Sequence, residues 1–301
     1  MKPILRGFGF KRSLWRSERI FGYLLLVPAI ALYTLLVVSP IAKTIILSLH
    51  RWNGFDPVKT YVGLSNFIEA FSSIRLARAY WNNVVWSVLS VIPIVLGLIL
   101  AVLLYQKRLI GRTFLRVCYF LPFTLSRVIT GIIWRWIYHP TWGALNIALS
   151  WLGLEHLTRA WLGDPSTVLV ALVTVGSWTY FGFCMVIFLS ALQSIPVEIY
   201  EAAKIDGATN IQQFFYITIP QLRNQITMLI ILTTIWSFKV FDLVLVMTRG
   251  TPYGRSEVMG FLVYVQAFQL QRVGHASATS ILLAITIIIG SSIFLRLREK
   301  D

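Results

Sequence analysis

Residues 194–220 read Ser194-Ile195-Pro196-Val197-Glu198-Ile199-Tyr200-Glu201-Ala202-Ala203-Lys204-Ile205-Asp206-Gly207-Ala208-Thr209-Asn210-Ile211-Gln212-Gln213-Phe214-Phe215-Tyr216-Ile217-Thr218-Ile219-Pro220. This stretch predicts two short helices broken at a glycine. Pro196 suits a helix start, Glu198 and Glu201 complement the positive end of its dipole, and Gly207 has access to the left-handed backbone that ends such a helix. Ala202, Ala203 and Ala208 keep the turn slim. A protruding helix pair with a small-residue face has the shape to enter a groove on another protein.

Outward from this stretch the chain turns strongly apolar. Of its 301 residues, 57% are hydrophobic and 13% charged, with a mean hydropathy of +0.73, far more apolar surface than a soluble domain of this length needs to bury. Runs of about eighteen or more apolar residues cross a hydrocarbon core of ~30 Å as helices. Six are expected: 21–42, 83–104, 117–138, 167–190, 226–247 and 279–295. The first follows a basic segment and resembles a signal peptide with a mock cleavage site at Ala29-Ile30-Ala31, but it continues past that site and reads as an uncleaved span. Segments 43–82, 139–166 and 248–278 join the spans on the other face as short lids or surface helices.

The net charge of +15 does not gather into one solvated patch, so it carries no expectation of a nucleic-acid partner. It reports topology instead, because Lys and Arg near span ends resist translocation. With both termini inside, the cytoplasmic face collects Lys2, Arg6, Lys11, Arg12, Arg16, Arg19, Lys107, Arg108, Arg112, Arg116, Lys204, Arg223, Arg296, Arg298 and Lys300. The outer face holds Lys43, Arg51, Lys59, Arg75, Arg78, Arg159, Arg249, Arg255 and Arg272, and the imbalance sets the orientation. Trp52, Trp81, Trp86, Trp136, Trp142 and Trp161 lie near span ends and read as interfacial anchors in contact with lipid headgroups. Cys118 and Cys184 read as packing residues. His50, His139, His156 and His275 fall on outer segments in no metal-binding spacing, so no metal site is expected.

The segment Glu201-Ala202-Ala203-Lys204-Ile205-Asp206-Gly207-Ala208, closed by Pro220, resembles the EAA loop of binding-protein-dependent ABC importer permeases. The Ile-Asp-Gly-Ala wording and the preceding Ile195-Pro196 are most similar to the sugar-permease branch of maltose and glycerol-phosphate importers. Trp134-Arg135-Trp136 with Pro140, Gly143 and Asn146, and Phe241-Asp242 followed by Thr248, are similar to the same branch. Thr248-Arg249-Gly250-Thr251-Pro252 departs from its usual Thr-x-Gly-Gly-Pro turn.

The resemblance implies an all-α integral membrane protein with six transmembrane helices of the ABC importer type I permease fold. Residues 1–20 would form a cytoplasmic N-terminal segment, 21–295 the permease domain and 296–301 a cytoplasmic tail. It implies a multi-pass protein of a bacterial or archaeal cytoplasmic membrane. Its partners would be a dimer of ATPase subunits, a second homologous permease and an extracytoplasmic solute-binding protein. Glu201, Ala202, Ala203, Asp206, Gly207, Ala208 and Pro220 would engage the ATPase. The chain lacks the GxxxxGK phosphate loop, so ATP and Mg would be bound by the partner ATPase, with no cofactor here and no catalytic residue.

Charges at membrane depth cost on the order of 2.5–3.5 kcal/mol each and therefore face a partner or a wet cavity. Arg127, Lys239 and Asp242 are the cases here, with Lys239 and Asp242 spaced to pair and Arg127 expected to reach Asp242 across the bundle. With Trp178, Tyr180 and Trp236 they form a candidate solute path that hydrogen-bonds hydroxyls and stacks on sugar rings, against the alternative of helix-to-helix packing. Import of an amino acid or peptide, and an ion-driven secondary transporter, are the competing functions; the latter would show paired broken helices and inverted repeats.

Overall fold

The computed structural model describes Tyr23 and residues 25–105 and 111–298. The basic residues Lys2 to Arg19, Lys107, Arg108 and Lys300, the segment 1–20 and the start of the expected first span lie outside the described residues. The helices are α1 (Leu25–Ser48), α2 (Ser65–Phe71), α3 (Ile74–Tyr105), α4 (Arg112–Thr124), α5 (Arg127–Ile137) and α6 (Ala144–Trp151). They continue with α7 (Val168–Gln193), α8 (Val197–Ile205), α9 (residues 210–221), α10 (Arg223–Phe238), α11 (Asp242–Met247), α12 (Met259–Tyr264) and α13 (Val273–Arg298). A two-stranded antiparallel hairpin, β1 (His50–Arg51) with β2 (Thr60–Tyr61), sits between α1 and α2 with His50 opposite Tyr61.

Four helices, α1, α3, α7 and the stretch Val273–Phe294 of α13, are each long and apolar enough to cross a membrane. The α4–α5 pair makes a fifth candidate only as a bent unit, turned by 101°. The expected straight span 117–138 is therefore corrected. Pro122 withdraws an amide from the last turn of α4, and Leu125 and Ser126 then take extended backbone, with ψ of 144° and 134°.

The span expected over 226–247 is broken as well, between α10 and α11, where Phe241 has φ −148° and ψ −51°. The break deprives the Ser237 carbonyl of its helical partner. Asn83, fully buried on α3, donates to it instead at 2.8 Å and accepts from the Met259 amide at 2.8 Å, so freed backbone groups stay satisfied at membrane depth. Two boundaries also move. α3 begins at Ile74 rather than 83, and α1 runs on to Ser48, so fifteen residues assigned to the outer lid 43–82 belong to long helices instead.

α7 is the hub. Buried residues make up 61% of its apolar stretch, against 33% in α3, 17% in α13 and none in α1. It packs along the second half of α3 and along α4. The α4 crossing is close because Gly182 lies under α4: a Cβ there would stand 1.8 Å from the Tyr119 carbonyl oxygen. Gly97 does the same for α3, where a Cβ would meet that of Cys184 at 2.5 Å. Small residues at such crossings let dispersion contacts form where lipid supplies no hydrophobic drive. The outward faces remain apolar, with Leu25, Leu35, Leu36, Ile288 and Ile289 all exposed, as suits a hydrocarbon solvent.

Candidate functional site

The stretch 194–220 folds as a helical hairpin at one end of the bundle. Pro196 caps α8, with Glu198 in its first turn and Lys204 in its last, both favourable to the helix dipole. Gly207, with φ +83°, ends the helix. The Ala208 amide donates to the Ala203 carbonyl at 2.8 Å and the Gly207 amide to Lys204 at 3.1 Å, the paired bonds of a left-handed helix stop. α9 begins two residues later with a capping box, Thr209 and Gln212 exchanging side chain-to-amide bonds of 3.3 and 2.7 Å.

The hairpin is closed by a Tyr200 hydroxyl to Thr218 hydroxyl bond of 3.0 Å, and Gln213 Nε2 donates back to the Ala208 carbonyl at 2.9 Å. A wide π-helical turn, Phe214–Thr218, ends two residues before Pro220, whose ring and missing amide a regular turn would not accommodate. Glu201, Ala202, Asp206 and Gly207 are exposed and Ala203 and Ala208 half-buried. Ile205, Ile211 and Tyr216 are 87%, 71% and 80% exposed, which leaves large apolar side chains on a projecting tip. Single apolar residues of this kind are ordinary, but three on one hairpin suit contact with another protein.

At mid-bundle, Arg127, Tyr180 and Trp236 come together. Arg127 is the first residue of α5, just past the bend, where a cation opposes the helix dipole, so helix stability does not account for it. Its Nη2 donates to the Tyr180 hydroxyl, and its guanidinium carbon lies 5.3 Å from the centre of the Tyr180 ring. Tyr180 stacks on Trp236 at 4.3 Å and 19°, and Phe123 and Phe183 extend the aromatic cluster. Arg127, Tyr180 and Trp236 line a cavity of about 20 Å³ together with Trp86, Ser90, Ser177, Thr179, Thr233 and Ser237. That volume holds about one water and is far below the ~300–1,000 Å³ of ligand pockets. In this conformation the cavity has no room for a molecule much larger than water.

Three expected path residues lie apart from this cavity. Trp178 packs edge-on against Trp134 at 5.6 Å, in a cluster that continues to Tyr138. Lys239 caps the end of α10 and is exposed, while Asp242 is half-buried in the first turn of α11. Among the described residues no ion pair joins Lys239 to Asp242 or Asp242 to Arg127, which corrects both expected pairings. The helix break separates the first two, and each charge instead lies at the helix end whose dipole it complements.

Trp86 was expected at the interface but is buried against Gly176 and lines the cavity. Thr233 and Ser237, four residues apart on α10, flank Trp236; that spacing was readable as one polar helix face. His275, expected on the surface, is buried, with Nδ1 3.9 Å from Glu69. Among the described residues no group of three or more His, Cys, Asp or Glu is placed to hold a metal.

The opposite end is built from long-range polar ties. Glu257 is buried and takes a two-pronged contact from Arg75 at 2.8 and 2.5 Å, and Asn82 donates to the carbonyls of Arg255 and Glu257, which fixes the segment just after the turn 248–252 against α3. Asn146, from the motif near α5, donates to the Pro140 and Arg159 carbonyls and accepts from Trp161. At the same end Arg272 holds the exposed Glu69 carboxyl below its usual range through a direct hydrogen bond.

A helical bundle with several membrane-length helices, a small cavity at its centre lined by aromatic rings, Arg127 and hydroxyls, and a projecting helical hairpin at one end defines a multi-pass membrane transport subunit. The chain belongs to the family of binding-protein-dependent transport system inner membrane components, whose model matches residues 93–299. It is therefore a permease subunit of an ABC importer, in which separate ATPase subunits hydrolyse ATP. It is 37% identical over 274 residues to a probable ABC transporter permease protein, YurN, of Bacillus subtilis, covering 90% of this chain and 94% of that one. It is 33% identical to the trehalose/maltose transport system permease protein MalF of Thermococcus litoralis, covering 93% and 94%. Its fold matches a chain of a bacterial ABC transporter involved in import of the acidic polysaccharide alginate, with a TM-score of 0.80 at 24% identity, covering 96% and 99%.

Proposed function

We propose that this subunit imports a sugar or sugar-like solute, and that the hairpin 194–220 couples its spans to a dimeric ATPase. The observation that carries the reading is the hairpin itself: a helix stopped at Gly207, a capped second helix, and exposed Ile205 between them, presented on a rigid base. Glu201, Ala202, Ala203, Asp206, Gly207 and Ala208 form the engaging surface, and Pro220 sets the exit of the chain toward α10. ATP and Mg sit in the ATPase. A carbohydrate cargo is supported by the likeness to a trehalose/maltose permease and by an aromatic cluster capped by Arg127, chemistry that suits a ring with one apolar face and many hydroxyls.

In this reading the bent α4–α5 pair and the broken α10–α11 pair each serve as one span. That makes six, with both termini and the hairpin cytoplasmic by the distribution of Lys and Arg. A second, homologous permease completes the path, because the cavity enclosed within this chain is too small for a sugar. An extracytoplasmic solute-binding protein delivers cargo to the end built around Glu257 and Asn146. The test is ATPase stimulation of the assembled importer across a panel of binding-protein-loaded sugars, polyols, glycerol phosphodiesters and amino acids. Stimulation by a sugar or polyol is expected, and a response to amino acids alone would overturn the cargo assignment.

A further inference from the structure

Beside the hairpin lies a groove of about 530 Å³, bounded by the end of α3, the start of α4, the end of α7 and the helices α8 and α9. Among the described residues three cations line it, Arg112 and Arg116 from α4 and Lys204 from α8, and no carboxylate does. Among the described residues none of the three has an ion-pair partner. Arg116 Nε is buried and makes no hydrogen bond, a costly state for a charged group unless an acceptor joins it. The remaining wall is divided: Tyr200 and Asn210 supply polar atoms beside the cations, whereas Val102, Leu192 and Phe214 are apolar.

A site with three uncompensated cations at one pole and an aliphatic and aromatic wall at the other matches an amphiphile with an anionic head. The groove stands where apolar helices α3 and α7 end, which is where lipid headgroups lie. We infer that it is a binding site for an anionic phospholipid, its phosphate held between Arg112, Arg116 and Lys204 and an acyl chain running along Val102 and Leu192. Arginine grips phosphate oxygens with parallel N–H donors, and the orphaned Arg116 Nε is one such donor. Because Lys204 lies on α8 and the arginines on α4, the phosphate ties the hairpin to the bundle. The site requires only that this end of the bundle meets a leaflet, so it stands apart from the assignment of the hairpin to an ATPase.

The full-length chain in nanodiscs of mixed phosphatidylglycerol and phosphatidylcholine, released into native mass spectrometry, tests this. Phosphatidylglycerol is expected to be retained in preference to phosphatidylcholine. Retention should fall about thirtyfold in Arg112→Gln/Arg116→Gln, from the loss of two surface charges, fall less in Arg112→Lys/Arg116→Lys, which keeps the charges but not the parallel donors, and persist in the distant Arg78→Gln. Lys204→Gln, on an exposed helix where misfolding is not a concern, should lower it about fivefold. Equal retention of the two lipids, or unchanged retention in the Gln variants, would overturn the site. Displacement of phosphatidylglycerol by millimolar inorganic phosphate would show that the groove takes a free anion and would overturn the lipid assignment.

Discussion

Gly182→Ala should destabilise this protein although alanine is the better helix former. On an open helical position the change gains about 0.5–1 kcal/mol, because glycine loses more backbone freedom on folding. At Gly182 the new Cβ would lie 1.8 Å from the Tyr119 carbonyl oxygen, 2.6 Å from its carbon and 2.9 Å from Phe120 Cα. All three are backbone atoms of α4, which no rotamer change can move. Overpacking against yielding neighbours costs roughly 1–3 kcal/mol, and a backbone clash belongs at the top of that range or above it. The net is about 2 kcal/mol of destabilisation, a factor of about 30 in the folded ratio.

Gly290, on α13, has nothing within 4 Å of its would-be Cβ and is the matched control. Thermal unfolding in detergent, read by retained monodisperse protein, should lower the midpoint of Gly182→Ala by several degrees and leave Gly290→Ala unchanged or raised. Because Phe120, whose Cα the new Cβ would also meet, leads through Phe123 to the Arg127 cluster, substrate-stimulated ATPase activity of Gly182→Ala should fall as well. Equal behaviour of the two variants would refute the close crossing of α4 on α7 and the hub role given to α7.

Arg127→Gln removes the charge-assisted bond to Tyr180 and the contact with its ring, an interaction of about 1.5–3 kcal/mol. Transport should drop and solute preference change, and unaltered uptake would remove Arg127 from the path. Glu69, held below its usual range by Arg272, contributes stability that is present above its ordinary value of 4.5 and is lost as pH falls through the lowered one. Both side chains of the pair are 45% exposed, so the contribution is at most ~1 kcal/mol after screening. The midpoint difference between the native chain and Glu69→Gln should therefore be small near neutral pH and close as pH falls from 4.5 through the lowered value, and a difference that grows on acidification would contradict the pairing.

The hairpin was legible in the sequence because its signals are local. Gly207 is needed wherever a helix ends in a left-handed residue, and composition alone announces apolar spans. The interruptions at Leu125–Ser126 and Val240–Phe241 were not legible as such, because hydropathy averages over a bend and only Pro122 hinted at one. Tertiary partners decide such breaks: the Ser237 carbonyl can leave its helix because Asn83, 154 residues away, replaces the lost donor. The same limit hid Trp86 and His275, which proximity to a span end assigned to the surface and which packing against Gly176 and Glu69 draws inward. Arg127, Tyr180 and Trp236 were chosen as costly or misplaced residues at membrane depth, and they meet. Lys239 and Asp242 were chosen on the same ground, and the helix break gives each a dipole to complement instead.

Transmission of ATPase closure to the spans through 194–220 depends on the helix stop at Gly207, and replacing that residue probes it. Nothing lies within 4 Å of a Cβ at this position, so Gly207→Val has room and acts through its φ of +83°, a conformation costly for a β-branched residue. The variant should fold, insert and unfold at nearly the native temperature while its hairpin reorients. In the assembled importer reconstituted in vesicles, solute taken up per ATP hydrolysed is the measurement. The account predicts that uptake collapses while basal hydrolysis continues without stimulation by the loaded binding protein; an unchanged ratio of uptake to hydrolysis would contradict it.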